Sequence, residues 1–138
     1  MVIYTPYLLM DVCMDKKAHD VDFLIKGGPY SNMIEANGFL FVSGMVPMDI
    51  ENGVMIMDDV RKATDLVLNN IKRALEAVGS DMGKVVKSSV FLRDMADFNA
   101  MNEVYKPFFP CALPARTCVA VKEIPGNFPI EIEVIALK

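Results

Sequence analysis

Seven residues near the C-terminus, Ile130-Glu131-Ile132-Glu133-Val134-Ile135-Ala136, constrain this chain more than any others. A β-strand has a side-chain period of two, so Ile130, Ile132, Val134 and Ala136 share one face while Glu131 and Glu133 point the opposite way. Upstream, Pro114-Ala115-Arg116-Thr117-Cys118-Val119 also reads as a strand. It carries Arg116 and Cys118 on one face and Val119 and Val121 on the other. Pro125-Gly126 marks the turn between the two segments. A guanidinium and a carboxylate are therefore expected on rigid neighbouring strands, near each other. A guanidinium holds a planar carboxylate by two parallel hydrogen bonds, and a Glu moves protons. That pair suits a small carboxylic acid, but an Arg and a Glu on adjacent strands also make ordinary structural ion pairs. The pattern leaves both readings open.

The rest of the chain supplies the other elements. Asn32–Ala36 and Phe39–Gly44 flank Asn37-Gly38, a dipeptide that readily takes the two positive φ values of a type I′ turn, so a β-hairpin is expected. Pro47 closes it, and Asn52-Gly53 marks a second turn. Asp58 or Asp59 caps a helix running to about Val78, with Val60, Ala63, Val67, Ile71, Ala74, Leu75 and Val78 as its apolar stripe and Gly79 as its stop. Val85–Leu92 alternates as a strand. Asp94 or Asp97 opens a second helix carrying Phe98, Met101, Tyr105 and Phe108, ended by Pro107 and Pro110. Val21–Ile25 reads as an additional leading edge strand. The order ββ-α-β-α-ββ predicts an α+β fold, a mixed sheet with two helices on one face. The other face is then open unless a second subunit covers it. The expected organisation is an N-terminal extension, residues 1–20, and one domain, residues 21–138.

Composition removes several function classes. The 138-residue chain carries a formal charge of −4, and no run of Lys or Arg exceeds two, so nucleic-acid binding lacks its usual basic stripe. Cys13, Cys111 and Cys118 are an odd set with no CxxC spacing, which predicts reduced thiols and no disulfide framework, zinc site or other metal centre. A Cys118 nucleophile would need an imidazole, and His19 is the single histidine; its polar surroundings predict a solvated loop position. The apolar start, Met1–Met10, is too short to span a membrane and has no basic lead-in. A cytoplasmic protein is expected, with the mitochondrial matrix as the alternative. At 53% the apolar fraction is slightly high for a small domain, as a subunit interface would require.

With these residues in view, the chain resembles the Rid family, the reactive intermediate deaminases, also called the YjgF or L-PSP endoribonuclease family. The resemblance runs from Gly28 to Leu137. It is carried by Gly28-Pro29-Tyr30-Ser31, Phe41-Val42-Ser43-Gly44-Met45-Val46-Pro47, Val90-Phe91-Leu92-Arg93-Asp94, Asn102-Glu103-Val104-Tyr105, Pro114-Ala115-Arg116-Thr117 and Ile130-Glu131-Ile132-Glu133, in that order. It implies a fold similar to trimeric chorismate mutase, a homotrimer, and sites in clefts between subunits. The implied reaction is hydrolysis of imino and enamine acids, such as 2-aminoacrylate and 2-iminobutanoate, to 2-keto acids and ammonia, with no cofactor. By motif position Arg116 clamps the substrate carboxylate, Glu131 activates water, and Tyr30, Ser43, Asn102 and Cys118 line the pocket. Glu133 is assigned a structural role.

Two alternatives stand beside this one: an endoribonuclease acting on single-stranded RNA as a translation inhibitor, and a non-catalytic ligand-binding or chaperone-like trimer. The chain also departs from the family pattern. The stretch through Lys26 lacks the usual Ala-Pro-rich lead-in, Asn32 stands where Gln is common, and Phe109–Leu113 replaces a more polar loop.

Overall fold

The strand Ile130–Leu137, β8, is the middle of the molecule. Its inward residues Ile130, Ile132, Val134 and Ala136 are all buried, as the alternation requires. In the computed structural model, residues 15–138 are described; most of the expected N-terminal extension, and Cys13 with it, lies outside them. The main sheet contains β1 (Lys17–His19), β2 (Met33–Ala36), β3 (Phe39–Met45), β6 (Val85–Leu92), β7 (Ala115–Ala120) and β8, in the spatial order β1-β2-β3-β8-β6-β7. Only β6 and β7 pair in parallel. Two short strands, β4 (Met48–Asp49) and β5 (Val54–Met55), form a separate ribbon around the Asn52-Gly53 turn.

Local chemistry sets the boundaries. Asn37 and Gly38 take φ values of 50° and 79°, the left-handed pair that joins β2 to β3. Helix α1 spans Val60–Ala77, and the Asp59 side chain accepts a hydrogen bond from the Lys62 N–H at 3.1 Å. Beyond it Gly79 has φ +84°, where a side chain would be strained. Asp94 caps a 3-10 turn at Met95–Asp97, which runs into helix α2, Phe98–Tyr105. Fully buried Ala63, Val67, Leu68, Ile71, Ala74 and Leu75 of α1 pack on the inward residues of β3, β6 and β8. Each large aliphatic side chain removed from water there contributes about 1.5–3 kcal/mol.

Among the described residues no helix lies on the reverse face. Phe39, Phe41, Val119 and Leu137 are between 38% and 45% exposed, and register sets Phe39 beside Leu137 and Phe41 beside Ile135. Phe39, Phe41, Ile135 and Leu137 thus form an apolar group, with Lys87, Ser89 and Glu133 beside it; an exposed apolar group suits an interaction surface.

Three expectations need correction. The extra leading strand is Lys17–His19, not Val21–Ile25, which forms turns. His19 is accordingly a strand residue, partly buried, with its Nε2 3.5 Å from Glu35. Finally, β7 and β8 are not adjacent: β6 lies between them and pairs with both.

Candidate active site

The first group of site residues gathers where β7 meets α2. Arg116 on β7 is paired with Ser88 of β6, so its side chain rises on the helix-covered face. There its Nη1 donates to Asn102 Oδ1 at 2.8 Å. The guanidinium lies 4.7 Å from the Tyr105 ring centroid and 5.7 Å from that of Phe98. Tyr105 is held in turn: its hydroxyl is 2.5 Å from that of Ser88, which is fully buried. Asn102 and Tyr105 are three residues apart and share a helix face, so α2 grips the guanidinium with a polar tip and an aromatic plane.

The remaining guanidinium edge is uncommitted. Among the described residues Arg116 forms no salt bridge, although it is partly buried. A structural ion pair would have supplied a carboxylate at that edge. Cys118 stands beside Arg116 on the same face. Burial pushes its thiol up from the ordinary cysteine range and Arg116 offsets this only in part, so a thiolate nucleophile is not what these surroundings prepare.

The second group gathers around Glu131 on β8 and the neighbouring part of β3. Between Val42 and Met45 the β3–β8 register shifts, a bulge that carries Ser43 and Gly44. The Glu131 carboxylate lies directly over Gly44, and any Cβ at that position would collide with it. Ser43 donates its hydroxyl to the Ser31 carbonyl at 2.6 Å, tying the bulge to the segment that ends in Tyr30. Glu131, Tyr30, Ser43 and Gly44 line one cavity of about 420 Å³, together with Leu24, Ile25, Met45, Met48, Pro125, Gly126 and Phe128. Burial raises the Glu131 carboxyl above the usual carboxylate range, and the Glu133 charge one strand repeat away raises it further. A carboxylate so placed takes up a proton more readily than an exposed one, as an acid/base group should.

Gly44→Ala is expected to push the carboxylate aside and lower kcat by about 10²-fold, since a shift of about 1 Å in a reacting group has that effect. Circular dichroism and kcat on the same preparation check it, with the secondary structure unchanged.

The two groups do not meet within one chain. Arg116 shares its face with Ser88, whereas Glu131 pairs with Phe91 and so occupies the reverse face. With β6 intervening the strands are about 10 Å apart, and the sheet separates the side chains as well. Of the residues expected at the site, Arg116, Asn102 and Cys118 stand together, and Glu131, Tyr30 and Ser43 stand together. Each set is half of the expected constellation.

Sequence reading overlooked Tyr105 as a support for Arg116, counting it only as an apolar helix residue; its spacing from Asn102 was the available signal. Gly44 was noted only within a motif, although a glycine inside a strand pattern indicates close approach of another group. Among the described residues no group of three or more His, Cys, Asp or Glu side chains is gathered for a metal. Nor is any helix there long and apolar enough to cross a membrane.

Comparison with known proteins identifies the family and the fold. The family model described as endoribonuclease L-PSP matches residues 24–138. A RutC family protein of Pyrococcus horikoshii is 46% identical over 111 residues, covering 80% of this chain and 88% of that one. A mouse protein named 2-iminobutanoate/2-iminopropanoate deaminase is 37% identical over 111 residues, covering 80% of this chain and 82% of its own. Among solved structures, that of E. coli TdcF with bound serine superposes with a TM-score of 0.83 at 32% identity, covering 88% of this chain and 98% of that one. With the motifs in order, the sheet and helices superposable and the match spanning residues 24–138, this chain belongs to the endoribonuclease L-PSP family, the reactive intermediate deaminases.

Proposed function

We propose that this protein hydrolyses 2-imino acids and their enamine tautomers, including 2-aminoacrylate and 2-iminobutanoate, to 2-keto acids and ammonia. The observation that carries this reading is Arg116: a partly buried guanidinium, aimed by Asn102 and Tyr105 and left without a carboxylate among the described residues. A substrate carboxylate satisfies it. Relatives named as imine deaminases, and a bound amino acid in one similar structure, point to the same ligand class.

Because Arg116 and Glu131 face opposite ways, one active site takes Arg116, Asn102 and Cys118 from one subunit and Glu131, Tyr30 and Ser43 from the next. A cyclic homotrimer supplies such head-to-tail contacts three times and covers the apolar reverse face. The cytoplasm is the proposed compartment.

The chemistry needs no more than these groups. Arg116 fixes the carboxylate and thereby C2. On the N-protonated imine, ionised Glu131 takes a proton from water as the water oxygen bonds to C2 and the C=N π pair moves to nitrogen, giving a neutral carbinolamine. Glu131 then returns that proton to nitrogen, the C–N bond breaks as the C2 hydroxyl becomes the carbonyl and gives its proton back to Glu131, and ammonia leaves. Water is consumed, and no oxidant or reductant enters.

The test couples a threonine dehydratase to this protein and follows 2-iminobutanoate, with semicarbazide trapping what remains. Faster imine loss is expected. No acceleration by a protein that runs as a folded trimer in light scattering would reject the assignment.

The pH profile provides a second check. Glu131 must be ionised to accept the proton, so activity falls as pH drops through its pKa. The acid limb of kcat/KM should lie above the ordinary glutamate value of about 4.3. Glu133→Gln removes the second cause of the shift and should move that limb downward. A limb unmoved by that change would separate Glu133 from the titration.

A further inference from the structure

The cavity beside Glu131 is larger than a two-carbon side chain requires. A volume of about 420 Å³ lies within the range that holds ligands of drug size, while 2-iminobutanoate has only seven heavy atoms. Its lining includes the apolar Leu24, Ile25, Met45, Met48 and Phe128, with Asn32 and Asn70 as polar members. Two of these residues, Leu24 and Ile25, come from the turn-rich stretch ahead of Gly28.

That stretch is a turn-rich segment held by one buried side chain. Asn32 is 2% exposed. Its Oδ1 accepts from the Val21 N–H at 3.1 Å, and its Nδ2 donates to the Ile25 carbonyl at 3.2 Å. Its own N–H donates to Asp20 Oδ1 at 2.9 Å, while Lys26 holds the other oxygen of Asp20 at 2.8 Å. A side chain one carbon shorter than Gln thus draws both ends of residues 21–25 onto the start of β2. The consequence is the position of Leu24 and Ile25 against the cavity.

We propose that the segment 20–28, pinned by Asn32, is a specificity wall that makes this protein prefer 2-imino acids with apolar side chains longer than ethyl. The inference rests on the imine-hydrolase reading and deepens it. With the carboxylate on Arg116 of one subunit and C2 over Glu131 of the next, the substituent on C2 is the part left to enter the cavity. Each added methylene leaves water for an apolar surface, and one methylene in such a pocket changes kcat/KM by about 10-fold or more. Leu24 and Ile25 are specificity residues, and Asn32, which also lines the cavity, holds them in position.

The experiment generates imines in place with an L-amino-acid oxidase from alanine, 2-aminobutyrate or leucine, and traps the remainder with semicarbazide. Wild type should show kcat/KM at least about tenfold higher for the leucine-derived imine than for the alanine-derived one. Ile25→Ala should reduce that ratio several-fold. Asn32→Ala, checked for folding by its melting curve, should reduce it in the same direction. Glu76→Ala, exposed on α1 and outside the cavity lining, should leave the ratio unchanged. Turnover of the small imines with no gain for the leucine-derived one would overturn the wall while leaving the imine-hydrolase reading intact. So would equal losses on both imines in Ile25→Ala. If none of the imines is hydrolysed, the reading and the wall fall together.

Discussion

Arg116→Ala should lower kcat/KM for 2-iminobutanoate by roughly 30- to 5,000-fold, the equivalent of about 2–5 kcal/mol for losing one partner of a desolvated charge pair. Among the described residues the polar partners of the lost side chain are Asn102 Oδ1 and the Met101 sulfur, so no ion pair there is left half-satisfied. Folding should therefore survive, and the loss should appear in activity far more than in the melting temperature. The supporting plane can be tested in the same assay. Tyr105→Leu keeps an apolar side chain but removes both the ring under the guanidinium and the hydroxyl bonded to Ser88. It should raise KM more than it lowers kcat, because it loosens the carboxylate grip without touching the water. A variant of Arg116 that keeps full activity would remove the basis of the proposed function.

Glu131→Gln should lower kcat by about 10²–10⁴-fold, the usual contribution of a positioned acid/base, with a smaller effect on KM. Gln is nearly isosteric and fits over Gly44 as Glu does, so the cavity keeps its shape while losing its proton acceptor. The two variants together test more than either alone. If the site were complete within one chain, a mixture of Arg116→Ala and Glu131→Gln subunits would stay inactive. With Arg116 and Glu131 on opposite faces of the sheet, each unaltered half must come from a different subunit. Unfolding and refolding an equal mixture should then restore up to about a quarter of the native sites, the fraction of head-to-tail interfaces that receive both unaltered residues by chance. No recovery in correctly assembled mixed trimers would show that the two groups do not act in one site.

Much of the architecture was legible because it depends on local chemistry. Period-two alternation identified β6 and β8, whose two faces meet different surroundings. The Asn37-Gly38 turn and the Asp59–Gly79 helix limits were equally plain, since each rests on a backbone conformation or a hydrogen bond within a few residues. Val21–Ile25 misled for the opposite reason. Its apolar residues have strand-like character, but Leu24 faces a cavity wall and the backbone is held by Asn32, a partner outside the segment. His19 was placed in a loop because its polar neighbours resemble one; pairing with β2, visible only in three dimensions, makes it a strand residue.

For the site, the sequence by itself determined which chemical groups are available and, through the alternation of each strand, that Arg116 shares a side with Cys118 and Glu131 with Glu133. It could not relate one strand's faces to the other's, because that depends on which strands pair and in what register. Only the tertiary structure decided that β6 separates β7 from β8 and that Arg116 and Glu131 look away from each other. Pairing is a long-range property, set by burial of the whole apolar face against α1. The motif residues therefore form two groups on opposite faces of the sheet, which the proposed trimer would bring together.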